Sequence, residues 1–212
     1  MEPTVIFLIG TPSSGKSTVG KLLASTYNWC YLDKDIICNK FTGKLLASNG
    51  YSPHDRDGCS YYTDVVMDLE YQTILDIADD NVQLGNSVIL DAPFLGYFSN
   101  KHYINELIEK YNWQTVNKMV LQVTIDFSIL KQRMQARGLE RDTWKLANWD
   151  SYVQSIQEKQ CLWENIQMTP FDNSSDTINV EKLFQTLQLE WGHGDGSRAS
   201  KMSNRGPSCN SI

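Results

Sequence analysis

Gly10-Thr11-Pro12-Ser13-Ser14-Gly15-Lys16-Ser17 is an unbroken G-x-x-x-x-G-K-[ST] pattern. These residue types at this spacing suit one task, cradling a polyphosphate. Gly10 and Gly15 let the backbone close around phosphate oxygens without a Cβ in the way. Thr11, Pro12, Ser13 and Ser14 form the loop, and its N–H groups, with the positive end of the following helix, face the anion. Lys16 reaches the β- and γ-phosphates, the Ser17 hydroxyl suits Mg²⁺, and Thr18 is placed for the α-phosphate. The plain alternative is a glycine-rich turn. An apolar strand before it and an amphipathic helix after it favour the phosphate loop.

Other groups could complete phosphoryl transfer. Ser87-Val88-Ile89-Leu90-Asp91 puts Asp91 at the C-terminal end of a buried strand, the edge where parallel sheets bind ligands, so Asp91 is a candidate Mg²⁺ carboxylate. Asp33 and Asp35 end the second strand two residues apart. On an extended segment they would point to one side and serve a metal-bound water and a substrate hydroxyl; the alternative is a helix cap. Arg133, Arg137 and Arg141 recur every fourth residue, on one helical face or on a flap broken at Gly138. From a flap they could neutralise a transferring phosphoryl group, Arg133 also touching the nucleotide. The segment 36–62 is polar and turn-rich. Asp55, Arg56, Asp57 and Tyr61 are its candidate acceptor contacts, with Asp35 and Arg141. Three histidines are scattered without metal spacing, and Trp144, Trp149 and Trp163 read as core or interface anchors.

The elements that must position these groups alternate strand with helix, the pattern of a parallel α/β sheet. Strands are expected at Thr4–Ile9, Trp29–Leu32, Ser87–Leu90 and Met119–Ile125, with a weak fifth at Pro170–Asn173. Helices are expected at Ser17–Tyr27, Thr63–Leu84 (with Val66, Leu69, Thr73, Ile77 and Leu84 inward), Tyr103–Tyr111, Ser128–Ala136, Trp144–Gln167 as one or two, and Val180–Leu189. Residues 36–62 are left as an insert broken at Ser52-Pro53 and Asp57-Gly58. Residues 1–191 thus read as one domain with a lid about 133–145. Residues 192–212, rich in Gly and Ser, read as a disordered tail or an appended scar.

The 212 residues are 41% hydrophobic and 21% charged, enough for one full core. A net charge of −6 disfavours a nucleic-acid partner. Five cysteines without a CxxC pair signal neither a disulfide framework nor a zinc site. No apolar run approaches a membrane span, which with the cysteines reads as a cytoplasmic protein.

The loop at 10–17, the Asp-x-Asp at 33–35 and the Asp91 strand resemble small P-loop kinases of the shikimate and gluconate kinase type. Ile89-Leu90-Asp91-Ala92-Pro93-Phe94 and the run from Arg137 to Leu146 more closely resemble the "AAA domain" ATP-binding proteins, themselves similar to nucleoside-monophosphate kinases. The resemblance covers about residues 4–190. It implies a P-loop NTPase fold: a five-stranded parallel sheet sandwiched by helices, with a helical lid over ATP. It implies Asp35 at the acceptor hydroxyl, Asp33 near Mg²⁺ and lid arginines among Arg133, Arg137 and Arg141. Shikimate kinases carry Gly-Gly-Gly on strand three where this chain has Asp-Ala-Pro-Phe, so a shikimate-like carboxylate acceptor is not implied.

Together these features point to an ATP- and Mg²⁺-dependent kinase for a hydroxyl of a small polar molecule, a metabolite, sugar or antibiotic. Rival readings are a nucleoside, nucleotide or polynucleotide 5′-kinase, and an ATP-binding switch with no small-molecule acceptor. Asn117-Lys118-Met119-Val120 lacks the final Asp of a guanine-selecting motif, which disfavours a GTPase.

Overall fold

The chain is described from a computed structural model, which covers residues 2–54, 56, 59–139 and 142–188. The expectations for Asp55, Asp57, Arg141 and the 192–212 tail lie outside the described residues. The apolar run after Pro3 forms β1 (Thr4–Gly10), which passes through the phosphate loop into α1 (Lys16–Tyr27). Then come β2 (Cys30–Asp33), α2 (Lys34–Ser48), a π-helical turn (Tyr62–Val66) leading into α3 (Met67–Gln83), and β3 (Val88–Asp91). A short 3₁₀ turn (Leu95–Tyr97) precedes α4 (Tyr103–Tyr111), β4 (Asn117–Thr124) and α5 (Phe127–Arg137). The described chain closes with α6 (Thr143–Ala147), α7 (Trp149–Glu158), β5 (Gln167–Asp172) and α8 (Val180–Leu187).

The five strands form one parallel sheet in the order β2-β3-β1-β4-β5. The central strand is buried on both faces, which is why it reads as a continuous apolar run. Its period of two splits the core. Val5, Phe7 and Ile9 pack with α3, α4 and Trp163, whereas Ile6 and Leu8 pack with Val19 and Leu23 of α1 and Leu183 and Phe184 of α8. The first core centres on Phe94, whose ring is fully buried against Phe7, Tyr71 and Trp163. Phe94 holds a left-handed backbone, φ 54°, and its N–H donates to the Tyr71 hydroxyl at 2.9 Å. Such a conformation costs a bulky residue about 1–3 kcal/mol, which ring burial offsets. The Asp-Ala-Pro-Phe segment thereby turns sharply off β3 and leaves Asp91 at the sheet edge.

Several expectations need correction. Residues 36–62 do not begin as an irregular insert: α2 runs to Ser48, on a buried stripe of Lys34, Cys38, Thr42 and Leu46. Asp33 and Asp35 are not two positions of one extended segment, because the strand stops at Asp33 and Asp35 sits in the first turn of α2. The inward face of α3 is Glu70, Tyr71, Ile74, Leu75, Ala78 and Val82, leaving Leu69 and Leu84 exposed. The expected helix through Gln167 breaks at Asn148 and ends at Glu158, and β5 starts three residues earlier than expected. Pro170 is tolerated there because β5 is an edge strand. Of the two alternatives for the arginine row, Arg133 and Arg137 follow the helical one, both lying on α5, which stops at Gly138. Trp163 is core, whereas Trp144 is 63% exposed and anchors no core. No described helix is long and apolar enough to cross a membrane.

Candidate active site

The phosphate loop leaves β1 at the C-terminal edge of the sheet, between β3 and β4. Gly10 and Gly15 have φ of 148° and 90°. A Cβ at Gly10 would lie 2.4 Å from the Val123 carbonyl oxygen, and one at Gly15 would lie 2.3 Å from Asn173 Nδ2. Neither position admits another residue without moving backbone or a buried amide. Asn173, which follows β5, is 5% exposed and donates from Nδ2 to the Ser14 carbonyl at 2.8 Å. It clamps the loop from the far side of the sheet. The Ser13 and Ser14 hydroxyls are buried and find no hydrogen-bond partner among the described residues. With the glycine cradle and the amino end of α1, two such orphan hydroxyls fit a polyphosphate.

Lys16 Nζ donates to the Thr11 carbonyl at 3.1 Å. Burial lowers its pKa from the ordinary lysine range, and the nearby carboxylates of Asp91, Asp35 and Asp33 counter the fall while Arg137 reinforces it. Three stretches of chain, 33–35, the end of β3 and α5, thus bring charge to bear on one ammonium. Asp33 and Asp91 are register partners on β2 and β3, one strand spacing apart. Tyr31, two residues before Asp33 on the same face of β2, links them: its hydroxyl donates to Asp91 Oδ2 at 2.5 Å and lies 3.4 Å from Asp33 Oδ2. Burial and the Asp91 hydrogen bond push the Tyr31 phenol well above the ordinary tyrosine range, and a hydrogen bond with the Ser17 hydroxyl works the other way. Ser17, Tyr31, Asp33 and Asp91 therefore meet at the start of α1. Asp33 also caps α2, its Oδ1 accepting from Asp35 N at 2.9 Å and Ile36 N at 3.2 Å. Among the described residues no three His, Cys, Asp or Glu side chains gather into a metal cage. Mg²⁺ carried on nucleotide phosphates needs only a hydroxyl and one or two carboxylates, which this set supplies.

Asp35 is 44% exposed, and its Oδ1 lies 3.6 Å from Lys34 Nζ and 3.7 Å from Arg56 Nη1. Both cations also rest on Glu70 of α3. Glu70 Oε2 is 2.5 Å from Lys34 Nζ and accepts from the Tyr62 hydroxyl at 3.0 Å, while Oε1 accepts from Thr42 Oγ1 and lies 3.5 Å from Arg56 Nη2. Glu70 and Lys34 are each 3% exposed. Two carboxylates and two cations thus fix α2, α3 and Arg56 around Asp35. Tyr61 stacks on Tyr51 at 6.0 Å instead of facing this cluster.

The expected arginine row diverges. Arg133 donates to the Ser175 carbonyl at 2.8 Å and borders a cavity of about 290 Å³ that also touches Ser13, Gly15, Thr18 and Asn173. The positive charge of Arg137 is felt at Lys16. The Arg137 guanidinium donates from Nε and Nη2 to Asp142 Oδ2 at 3.1 and 2.6 Å, and Asp142 is fully buried. A second cavity, of about 620 Å³, lies between the loop entry at Gly10–Pro12 and helices α6 and α7. The structure therefore brings together Lys16, Ser17, Asp33, Asp35, Arg56, Asp91 and Arg137, places Arg133 at the other flank of the loop, and sets Tyr61 apart. Sequence reading missed Tyr31, Glu70, Asn173 and Asp142. Two of them left a signal: Tyr31 in its period-two relation to Asp33, and Asp142 in the family-like run from Arg137 to Leu146.

These features define a P-loop nucleotide-binding α/β fold with helices facing the loop. A family profile described as "AAA domain" matches residues 5–158, and the chain belongs to that family. A shikimate kinase of Synechococcus elongatus is 41% identical over 49 residues, 21% of this chain and 26% of that protein. One of Chlorobium chlorochromatii is 42% identical over 45 residues, 21% of this chain and 24% of that protein. The chain thus aligns with about a quarter of the length of these relatives. The fold is also that of a shikimate kinase from Bacteroides thetaiotaomicron, with TM-score 0.56 and 19% identity over 88% of this chain and 99% of the other. A sugar kinase from Janibacter sp. HTCC2649 gives TM-score 0.55 and 15% identity over 88% and 95%.

Proposed function

We propose that the chain transfers the γ-phosphoryl group of ATP to a hydroxyl of a small molecule. The observation that carries this is the convergence on Lys16 of charges from Asp91, Asp35, Arg137 and Asp33, with the Asp35 side chain 44% exposed while Asp91 is buried. A hydrolytic switch needs no such exposed acid beside the phosphate lysine.

In this reading the loop amides, Lys16 and the Ser13 and Ser14 hydroxyls bind the triphosphate. Ser17, Asp33 and Asp91 would hold Mg²⁺, which neutralises charge on the β- and γ-oxygens. Tyr31 fixes the two carboxylates. Asp35 accepts a hydrogen bond from the acceptor hydroxyl and takes its proton as the oxygen–phosphorus bond forms and the bond from phosphorus to the β-phosphate oxygen breaks, leaving ADP. Lys16 and Arg137 stabilise the transferring group. Most of the acceleration is positioning and electrostatics. The coarse function is supported by the family and by the kinase relatives, and the acceptor's contacts with Asp35 and Arg56 by the Glu70 network. The test is incubation with Mg²⁺ and γ-labelled ATP against pooled sugars, nucleosides, hydroxy acids and hydroxylated antibiotics. Label on one compound supports a kinase. Tight nucleotide binding with only slow phosphate release against every pool would point to the switch.

A further inference from the structure

Resting on that reading, we propose that the 620 Å³ cavity holds the body of the acceptor, and that the acceptor is a flat, largely apolar hydroxyl compound bearing an acid group. The volume lies within the range of small-molecule sites. Its floor is Gly10 to Pro12, and Thr11 is the residue whose carbonyl accepts from Lys16 Nζ. A ligand filling the cavity therefore borders the phosphate loop at Thr11, one hydrogen bond from the Lys16 ammonium.

The walls decide the chemistry. Pro12, Leu95, Phe98, Trp144, Tyr152 and Ile156 make them mainly apolar. Trp144 is 63% and Leu95 39% exposed, two large apolar side chains left open at one cavity. Among the described residues no Asp or Glu lines it, Gln122 offers the one side-chain amide, and the Ser155 hydroxyl already donates to the Tyr152 carbonyl at 2.7 Å. The several hydroxyls of a polyol would lose water there and find few acceptors. Lys145 and Lys159 supply positive charge at the same cavity. Lys145 Nζ pairs with Asp142 Oδ1 at 3.8 Å, beyond hydrogen-bond reach, and lies 5.8 Å from the Tyr152 ring, so the ammonium can turn its donors to a ligand acid.

The cavity is tested with two probes of one shape, the anion 8-anilinonaphthalene-1-sulfonate and the uncharged N-phenyl-1-naphthylamine, titrated by emission into the full chain saturated with ADP and Mg²⁺. One bright site per chain is expected. Trp144→Ala, at a mostly exposed position, weakens both probes about tenfold. Lys145→Gln combined with Lys159→Gln weakens the anion about tenfold and the neutral probe less than twofold. 4-(Hydroxymethyl)benzoate displaces the anion, and D-gluconate at equal concentration does not. Absence of the bright site, indifference to Trp144→Ala, equal loss of both probes in the lysine variant, or displacement by gluconate would each overturn the proposal. Because binding is read and not transfer, these outcomes are separate from failure of the kinase reading, which the labelled-ATP panel and ADP affinity report.

Discussion

Replacing Glu70 by Ala removes the acid that two buried or half-buried cations share. Lys34 is 3% exposed and has its nearest anion 2.5 Å away at Glu70 Oε2; among the described residues the next carboxylate is Asp35 at 3.6 Å. The Tyr62 and Thr42 hydroxyls lose their acceptor in the same step. Breaking a buried pair from one side costs about 3–5 kcal/mol, since the surviving charge is left unpaired. For a domain of this size that lowers Tm by roughly 6–20 °C. The assay is urea unfolding followed by fluorescence and circular dichroism, with coincident transitions required. Lys34→Met with Glu70→Leu removes both charges and is expected to recover more than half of the loss. A single-variant loss below about 1 kcal/mol would refute the claim that the pair is desolvated. A double variant worse than the single would refute the view that the orphaned ammonium, not lost packing, is the cost.

Lys16→Met is expected to abolish nucleotide binding while stabilising the nucleotide-free chain at neutral pH, read by thermal shift with and without ATP. The sign follows from linkage: the folded pKa of Lys16 lies below its unfolded value, so the unfolded state binds more protons between the two and stability rises with pH through that alkaline window, up to the unfolded value near 10.5. The slope should vanish in the variant. Asn173→Ala loses the 2.8 Å bond to the Ser14 carbonyl and leaves a buried acceptor unpaired, costing about 1–3 kcal/mol and raising Kd for ATP at least fivefold by titration calorimetry. Tyr31→Phe removes the donor to Asp91 and should raise the Mg²⁺ concentration for half-maximal turnover about five- to tenfold, with little change in Kd for metal-free nucleotide.

The phosphate loop and the parallel sheet were legible because they rest on local signals: a fixed glycine spacing, and strands buried on both faces that read as apolar runs. Helix α2 was not, because two of the four residues on its buried stripe are Lys34 and Thr42. Those positions look solvent-facing until Glu70, 36 residues from Lys34, arrives to satisfy them. The same pairing inverted the face of α3, where a buried Glu70 displaced the apparent stripe through Leu69. Asn173 reaches the loop across 159 positions and carries no local pattern at all. Arg133 and Arg137 share a helix as their spacing suggested, yet their long side chains go to Ser175 and Asp142. Spacing fixes where a Cα lies, not which partner a guanidinium finds.

The most direct test of phosphoryl transfer through Asp35 is single-turnover transfer from γ-labelled ATP to the acceptor found in the panel, comparing the native chain with Asp35→Asn. The acid is 44% exposed and lies outside the core, so the variant should fold and bind ATP within about twofold of the native chain. The transfer rate should fall by about two to four orders of magnitude, the usual contribution of a positioned base. Transfer at the native rate with nucleotide binding unchanged would contradict Asp35 as the group that takes the hydroxyl proton.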